Sequence, residues 1–388
     1  NNNIGPAGAN LPTKGILCNG STTTTAIGNS GIVINNNNIF DYFGAAVTSA
    51  GVAVNGGCNA LSITNNRFYQ TAPRTWTTGA LHNGILLNST TTTSGVQGMT
   101  VTGNIIGYAS NTQTGTYALS GSTGSFRGIV LNGITAGTVS NINNNTIASV
   151  SVTGVTSSGT SSSAPFMGIY VTNGNAITNG NTIGSQSANG SLTYSTTSAS
   201  AADAIGMFNF SVDPWTANNN SVGGITASNA GAGAANAYGI RLNTGSTVAT
   251  GLSGNNVGGT VANSIQSTST ATGSQVAGIF VSTSIANVSN NTVRNLTAAG
   301  GTGTTTAASV VGIAFVSSTP INTVSQNTIF NLTNTNTTAA STVTGIQFTG
   351  GTGNVVERNF IYGLTSATTS STAEINGIRV AGGTTTYR

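Results

Sequence analysis

Charge is what this sequence has least of. Among 388 residues, nine are Lys or Arg and five are Asp or Glu, for a formal net charge of +4. Neutralising a phosphate backbone takes clustered cations. Here Lys14 is the only lysine, and Arg67, Arg74, Arg127, Arg241, Arg294, Arg358, Arg379 and Arg388 are scattered. Nucleic acid is therefore excluded as a partner. With one histidine, His82, and two cysteines, Cys18 and Cys58, the chain cannot assemble a Cys/His metal site, and no metal or cofactor is expected. Apolar runs are short, well under the roughly 18 residues of a membrane helix, so no membrane span is expected. No signal-peptide pattern is recognisable, and a start at Asn1 without Met reads as a processed or truncated terminus.

What the sequence has is Ser, Thr, Asn and 54 Gly. Such a composition suits disordered segments, but apolar residues recur here at fixed places. Two phrases alternate along the whole chain. The first is Gly-apolar-x-apolar, as in Gly15-Ile16-Leu17-Cys18, Gly84-Ile85-Leu86-Leu87, Gly128-Ile129-Val130-Leu131 and Gly168-Ile169-Tyr170-Val171, running on to Gly377-Ile378. The second is Asn-x-apolar, as in Asn145-Thr146-Ile147 and Asn291-Thr292-Val293. Its asparagines are Asn2, Asn37, Asn66, Asn104, Asn145, Asn181, Asn220, Asn255, Asn291, Asn327 and Asn359. Another apolar residue stands three places before most of them, as at Ile34, Ile63, Val101 and Ile142.

Successive phrase glycines fall 32 to 44 residues apart. Each unit then holds three short β pieces, one after the Gly, one before the Asn and one starting at the Asn. Polar Ser/Thr/Gly/Ala turns separate them, and no helical period appears. One unit cannot bury its own apolar side, so neighbours must stack into a solenoid. Stacking at about 4.8 Å per coil, roughly ten coils make a rod on the order of 50 Å long. The Asn suits a sharp corner, since it tolerates the left-handed region and bonds nearby backbone. Repeated in every coil, the eleven side-chain amides are expected to form one ladder along the axis. The phrase Gly is expected to supply a second corner with positive φ.

This pattern resembles the right-handed parallel β-helix repeats of the pectate-lyase-like superfamily, and it is similar to the Thr/Asn/Gly-rich versions in very large secreted bacterial surface proteins. The resemblance implies an all-β right-handed parallel β-helix of about ten to eleven coils over residues 1–388. It implies little about activity, because that scaffold carries lyases, hydrolases, tailspikes and adhesins alike. Leucine-rich and propeller repeats are excluded by the absence of Leu-x-x-Leu-x-Leu and Trp-Asp phrases. Left-handed β-helices need hexapeptide regularity, whereas the legs here vary widely in length. The chain starts and stops in mid-coil, so the single domain is read as a window of a longer array.

Enzymes on this scaffold use grouped acids. The acids here are Asp41, Asp203, Asp213, Glu357 and Glu374. No two share a corner in adjacent coils, so no catalytic residue is assigned. His82 is read as part of a loop before Gly84, where an exposed or capping role is expected. Cys18 and Cys58 lie in neighbouring coils, and two readings stay open: a disulfide clip between coils, or two small buried hydrophobes.

The residue two after each phrase Gly should point outward. These residues include Leu17, Leu86, Val130, Tyr170, Phe208 and Phe280, an apolar stripe that either meets a partner or lies under the chain's own loops. None of the middle positions is Thr, which sets ice binding aside. At the Gly206 coil, Asn209 takes an inward slot and Phe210 follows, so a bulge is expected there. The expected function is a non-catalytic structural or adhesive segment of a secreted bacterial cell-surface or filament protein. Its partners would be further copies or repeats of itself and surface glycans. The alternative is a glycan-binding or glycan-cleaving β-helix enzyme.

Overall fold

A computed structural model describes residues 2–6, 8–21, 28–89, 95–243, 250–301, 308–316 and 321–388. The chain forms a right-handed parallel β-helix of about ten turns. Among the described residues the one helical element is the 3-10 turn Ser161–Ser163. The first sheet stacks eleven strands that carry the phrase glycines, from Lys14–Cys18 through Ser125–Asn132 to Glu374–Val380. The second stacks eleven strands that precede the Asn corners, from Val33–Asn35 to Thr385–Tyr387. The third has seventeen strands.

That third sheet holds more than the single expected piece per unit. In its first part run the strands that begin at the Asn corner, such as Ile105–Gly107, Thr146–Ala148 and Thr182–Gly184. A fourth strand follows in most coils: Tyr117–Gly121, Val150–Val155, Leu192–Thr196, Ile225–Asn229. Towards the end the two pieces merge, as in Thr292–Ala298 and Thr328–Asn334, which bend at Asn295 and Asn331 with φ of 54° and 55°. The fourth strand stands outside the two phrases: some of its members alternate plainly, as in Val150-Ser151-Val152 and Leu192-Thr193-Tyr194, while others, such as Thr226-Ala227-Ser228, hardly contrast with the turns.

Inside the coil the residues one and three after the phrase Gly are buried from the Gly51 unit to the Gly345 unit, for example Ile85 and Leu87, or Ile129 and Leu131. Apolar residues from the second and third sheets meet them, including Val101, Ile142, Ile106 and Ile147. Equivalent side chains stack coil on coil, and the rings of Phe315 and Phe348 lie 4.9 Å apart and nearly parallel.

The phrase Gly does not turn a corner. None from Gly15 to Gly377 has positive φ, and each lies within its strand. Its Cα instead faces the core beside the apolar residue of the Asn phrase. A Cβ on Gly84 would come within 2.8 Å of Ile106 Cδ1 and 2.6 Å of the Gly128 carbonyl oxygen. The left-handed corner belongs to the residue just before each ladder Asn: Asn36, Asn65, Gly103, Asn144, Gly180, Asn219, Gly254, Asn290, Gln326 and Arg358 all have φ between 53° and 69°. Asn and Gly dominate these positions because they reach that region at low cost. No bulge occurs at the Gly206 coil, since Met207, Phe208 and Asn209 pair in unbroken register with Ile240, Arg241 and Leu242. The polar Asn209 is accommodated by a local bond instead, with its Oδ1 accepting from the Ser211 N–H at 3.1 Å.

Candidate functional site

The chemistry-bearing residues gather in three places: the ladder corner, a polar knot around His82, and the outer side of the first sheet. At the corner, every asparagine of the second phrase bonds the next. Nδ2 donates to the following Oδ1 from Asn2 to Asn37 at 2.9 Å, from Asn145 to Asn181 at 3.1 Å, and so on to Asn327 and Asn359 at 2.9 Å. The same Oδ1 accepts the backbone N–H of the preceding ladder residue. The other Nδ2 proton goes to a carbonyl one coil back, as from Asn181 to Ile142 O at 2.8 Å. Both lone pairs and both protons of a central Asn are thereby used, and all the amides point one way along the axis.

His82 lies in the strand Leu81–Asn88 and is fully buried, not in an exposed loop. The two residues before Gly84 continue the strand, and this slot faces the core. Nδ1 is 2.7 Å from Ser49 Oγ and Nε2 is 2.5 Å from the Tyr117 hydroxyl, which donates to the Tyr42 hydroxyl at 3.0 Å. That direction assigns the proton to Nε2 and makes Nδ1 the acceptor from Ser49. Burial first, and the Arg74 charge second, pull the imidazole down to about 3. Burial pushes the Tyr117 and Tyr42 phenols well above their ordinary range. Gln70 links the knot to Arg74, whose guanidinium pairs with Asp41. A serine 2.7 Å from a histidine has the distance of a nucleophile and its base. Here both residues are sealed in the interior, and the surface depression nearby, lined by Val47, Thr48 and Leu81, includes neither.

Outside the first sheet sits a second hydrophobic cluster. Val130, Tyr170, Phe208 and Phe280 are buried in it with Met167, Ile205, Tyr238, Ala164 and Ala308. These four therefore do not present a partner face. The residues just before each phrase Gly point outward beside them, and segments leading into the strands lie over both. Leu86 is only partly buried, and Leu17 alone of the six is substantially exposed, at 50%. Within this cluster Asp203 is buried and takes Arg241 at 2.5 Å, Asn236 Nδ2 at 2.8 Å and the Ser161 N–H at 2.8 Å. The Arg241 guanidinium also lies over the rings of Tyr238, Phe280 and Phe208, at 4.6, 5.2 and 5.9 Å. Burial outweighs these partners and raises the Asp203 carboxyl. Arg127, pulled down to about 10 by burial, donates to Ala164 O at 2.9 Å.

The remaining acids serve other contacts. Asp213 accepts the Ala136 and Gly174 N–H groups, both at 3.0 Å, and so pins turns of two earlier coils. Glu374 pairs with Arg379 in the last first-sheet strand, and Glu357 ends Asn354–Glu357. Among the described residues no group of three or more His, Cys, Asp or Glu comes together. Cys18 and Cys58 are buried free thiols, so the disulfide reading is set aside. Burial raises both thiols, as for small hydrophobes beside one another.

The fourth strand and the His82 knot have no counterpart in the two phrases, whereas the outer cluster realises the reading in which the stripe of middle residues lies under the chain's own loops. One further feature had a signal. Asn143, Asn179 and Asn218 sit two before ladder residues and form a parallel series, in which Asn143 Oδ1 accepts the Asn179 N–H and Asn179 Oδ1 the Asn218 N–H, both at 2.8 Å. No protein-family model, curated protein or solved structure matches the chain. Fold and contacts define the class, a parallel β-solenoid.

Proposed function

We propose that this chain is a non-catalytic structural or adhesive segment of a secreted bacterial cell-surface or filament protein. In this reading its β-helix is of the pectate-lyase-like type, and its partners are further copies or repeats and surface glycans. The observation that carries the reading is the ladder. A buried, one-directional amide chain runs from Asn2 to Asn359, so the most regular polar contact in the molecule serves the axis and not a pocket. A weakly charged surface rich in hydroxyls suits a spacer that must stay hydrated and bond sugars. Asp41, Asp203 and Asp213 hold strands and turns together, which supports a structural use of the acids.

The test is incubation of the chain with polygalacturonate, alginate and neutral polysaccharides, following reducing ends and unsaturated uronate. Inert substrates, with surface exposure of the protein on the producing cell, are expected. Turnover that is lost on mutating one of the acids would sink the reading in favour of a glycan-cleaving enzyme.

A further inference from the structure

Along the third sheet, the link between the Asn-corner strand and the fourth strand changes length from coil to coil. After Ile105–Gly107 it is the loop 108–116, after Thr146–Ala148 it is Ser149 alone, and after Thr182–Gly184 it is the loop 185–191. Two loops thus stand on either side of a coil that has none, and between them lies an open notch of about 450 Å³. Its mouth spans two coil spacings, roughly 10 Å. Where the next pair of loops flanks Gly224 the walls meet instead, with Thr260 N–H and Oγ1 donating to Gln186 O and Asn189 Nδ2 to Ala262 O. The notch over Ser149 stays open.

Its walls are held by bonds of their own. Ser149 Oγ donates to Gly115 O at 2.8 Å on one side, and the Ser149 N–H donates to Ser191 Oγ at 3.2 Å on the other. Ser110 and Thr114 brace the first loop, and Ser185 Oγ accepts two N–H groups of the second. The floor is Ala148, flanked by Thr146 and Thr182. Tyr108 forms part of one wall with φ of 65°, a conformation unusual for a bulky side chain and costly to hold. The hydroxyls of Tyr108, Thr146 and Thr182 have no protein partner among the described residues. No lining residue is charged.

We propose that this notch binds a neutral saccharide, one sugar ring resting against Tyr108 with its hydroxyls bonded by Thr146 and Thr182. An uncharged lining gives a carboxylate, phosphate or amine ligand no counter-charge. Hydroxyls that both donate and accept match a polyol, and an aromatic face takes the apolar C–H side of a pyranose. Rigid walls keep the ordering cost of binding low. The proposal deepens the adhesive reading and rests on its non-catalytic character, because it asks for sugar held and not sugar cut.

The test is titration of the full chain with cellohexaose, xylohexaose, mannohexaose and maltohexaose, with oligogalacturonate as the charged comparison. At least one neutral sugar should bind, Tyr108→Ala should weaken it about tenfold or more, and Thr182→Val about fivefold, one stacking contact and one hydrogen bond respectively. Tyr108→Gly separates ligand from fold: it relieves the positive φ and should leave or raise the melting temperature, while binding falls as for Ala. No binding of any neutral sugar at millimolar concentration, binding untouched by either Tyr108 variant, or preference for oligogalacturonate would overturn the proposal. Cleaved sugar would overturn the non-catalytic reading beneath it, whereas an inert rod that holds no sugar would remove the notch proposal alone.

Discussion

A Cβ placed on Gly128 would lie 2.6 Å from Ile147 Cδ1 and 2.6 Å from the Gly168 carbonyl oxygen. The same relation recurs between Gly51 and Phe68, Gly206 and Val222, and Gly312 and Ile329. The two sequence phrases are therefore halves of one contact: the glycine leaves the space that the apolar residue of the Asn phrase fills. Gly128→Ala should cost about 1–3 kcal/mol by overpacking. Adding Ile147→Val, which removes the crowded Cδ1, should recover part of that loss, because the side-chain clash goes while the backbone clash stays. Chemical denaturation of the two single variants and the double variant measures the coupling.

Asn181 accepts two bonds and donates two. Asn181→Ala strands the Asn145 amide and N–H on one side and an Asn220 acceptor on the other, and should cost about 1–3 kcal/mol. Asn359→Ala should cost less, because Asn359 is less buried and no further ladder residue accepts from it in this chain. Denaturation midpoints that rank the two the other way would count against the ladder as a main stabilising element.

His82 makes stability depend on acidity. Its imidazole is held near 3 in the folded chain against an ordinary value of 6.5, so the unfolded chain binds the extra proton between those values. Stability is complete above about pH 6.5 and falls as pH drops toward 3, by about 1.4 kcal/mol per unit. At pH 5 the loss should be about 2 kcal/mol relative to pH 7. Denaturation of the parent and of His82→Gln across this range checks the sign, since the variant should lose this slope.

Asp203 is fully buried and its partner Arg241 is mostly covered, at 11% side-chain exposure, beside the outer cluster. Removing one charge leaves the other unpaired, so Asp203→Leu or Arg241→Met alone should cost about 3–5 kcal/mol. The double replacement should cost much less. Thermal unfolding of the three variants decides it, and additive losses would show that the pair itself matters little.

Cys18 and Cys58 should titrate as two free thiols per denatured chain and react slowly in the native state, as buried, raised thiols do. A mass two hydrogens short under non-reducing conditions would show a disulfide instead.

The sequence by itself determined the coil. Gly128, Ile147 and Asn145 recur with their equivalents in unit after unit, and stacking multiplies a weak local signal into an unambiguous one. The ladder line could be named residue by residue for that reason. The corner chemistry was legible only in part: the left-handed residue is Asn144 or Gly180, not the ladder Asn beside it, because the ladder side chain must point inward to meet its neighbours.

Tertiary structure alone decided what lies between the repeats. His82, Tyr42 and Tyr117 come from different coils, and nothing local to Leu81-His82-Asn83 distinguishes a buried slot from a loop. Whether Phe208 and Tyr170 meet solvent depends on segments whose lengths differ in every unit. The notch beside Tyr108 exists because loops 108–116 and 185–191 flank a coil with a one-residue link. A period specifies translation along the axis, and it carries no information about how insertions of unequal length settle against one another.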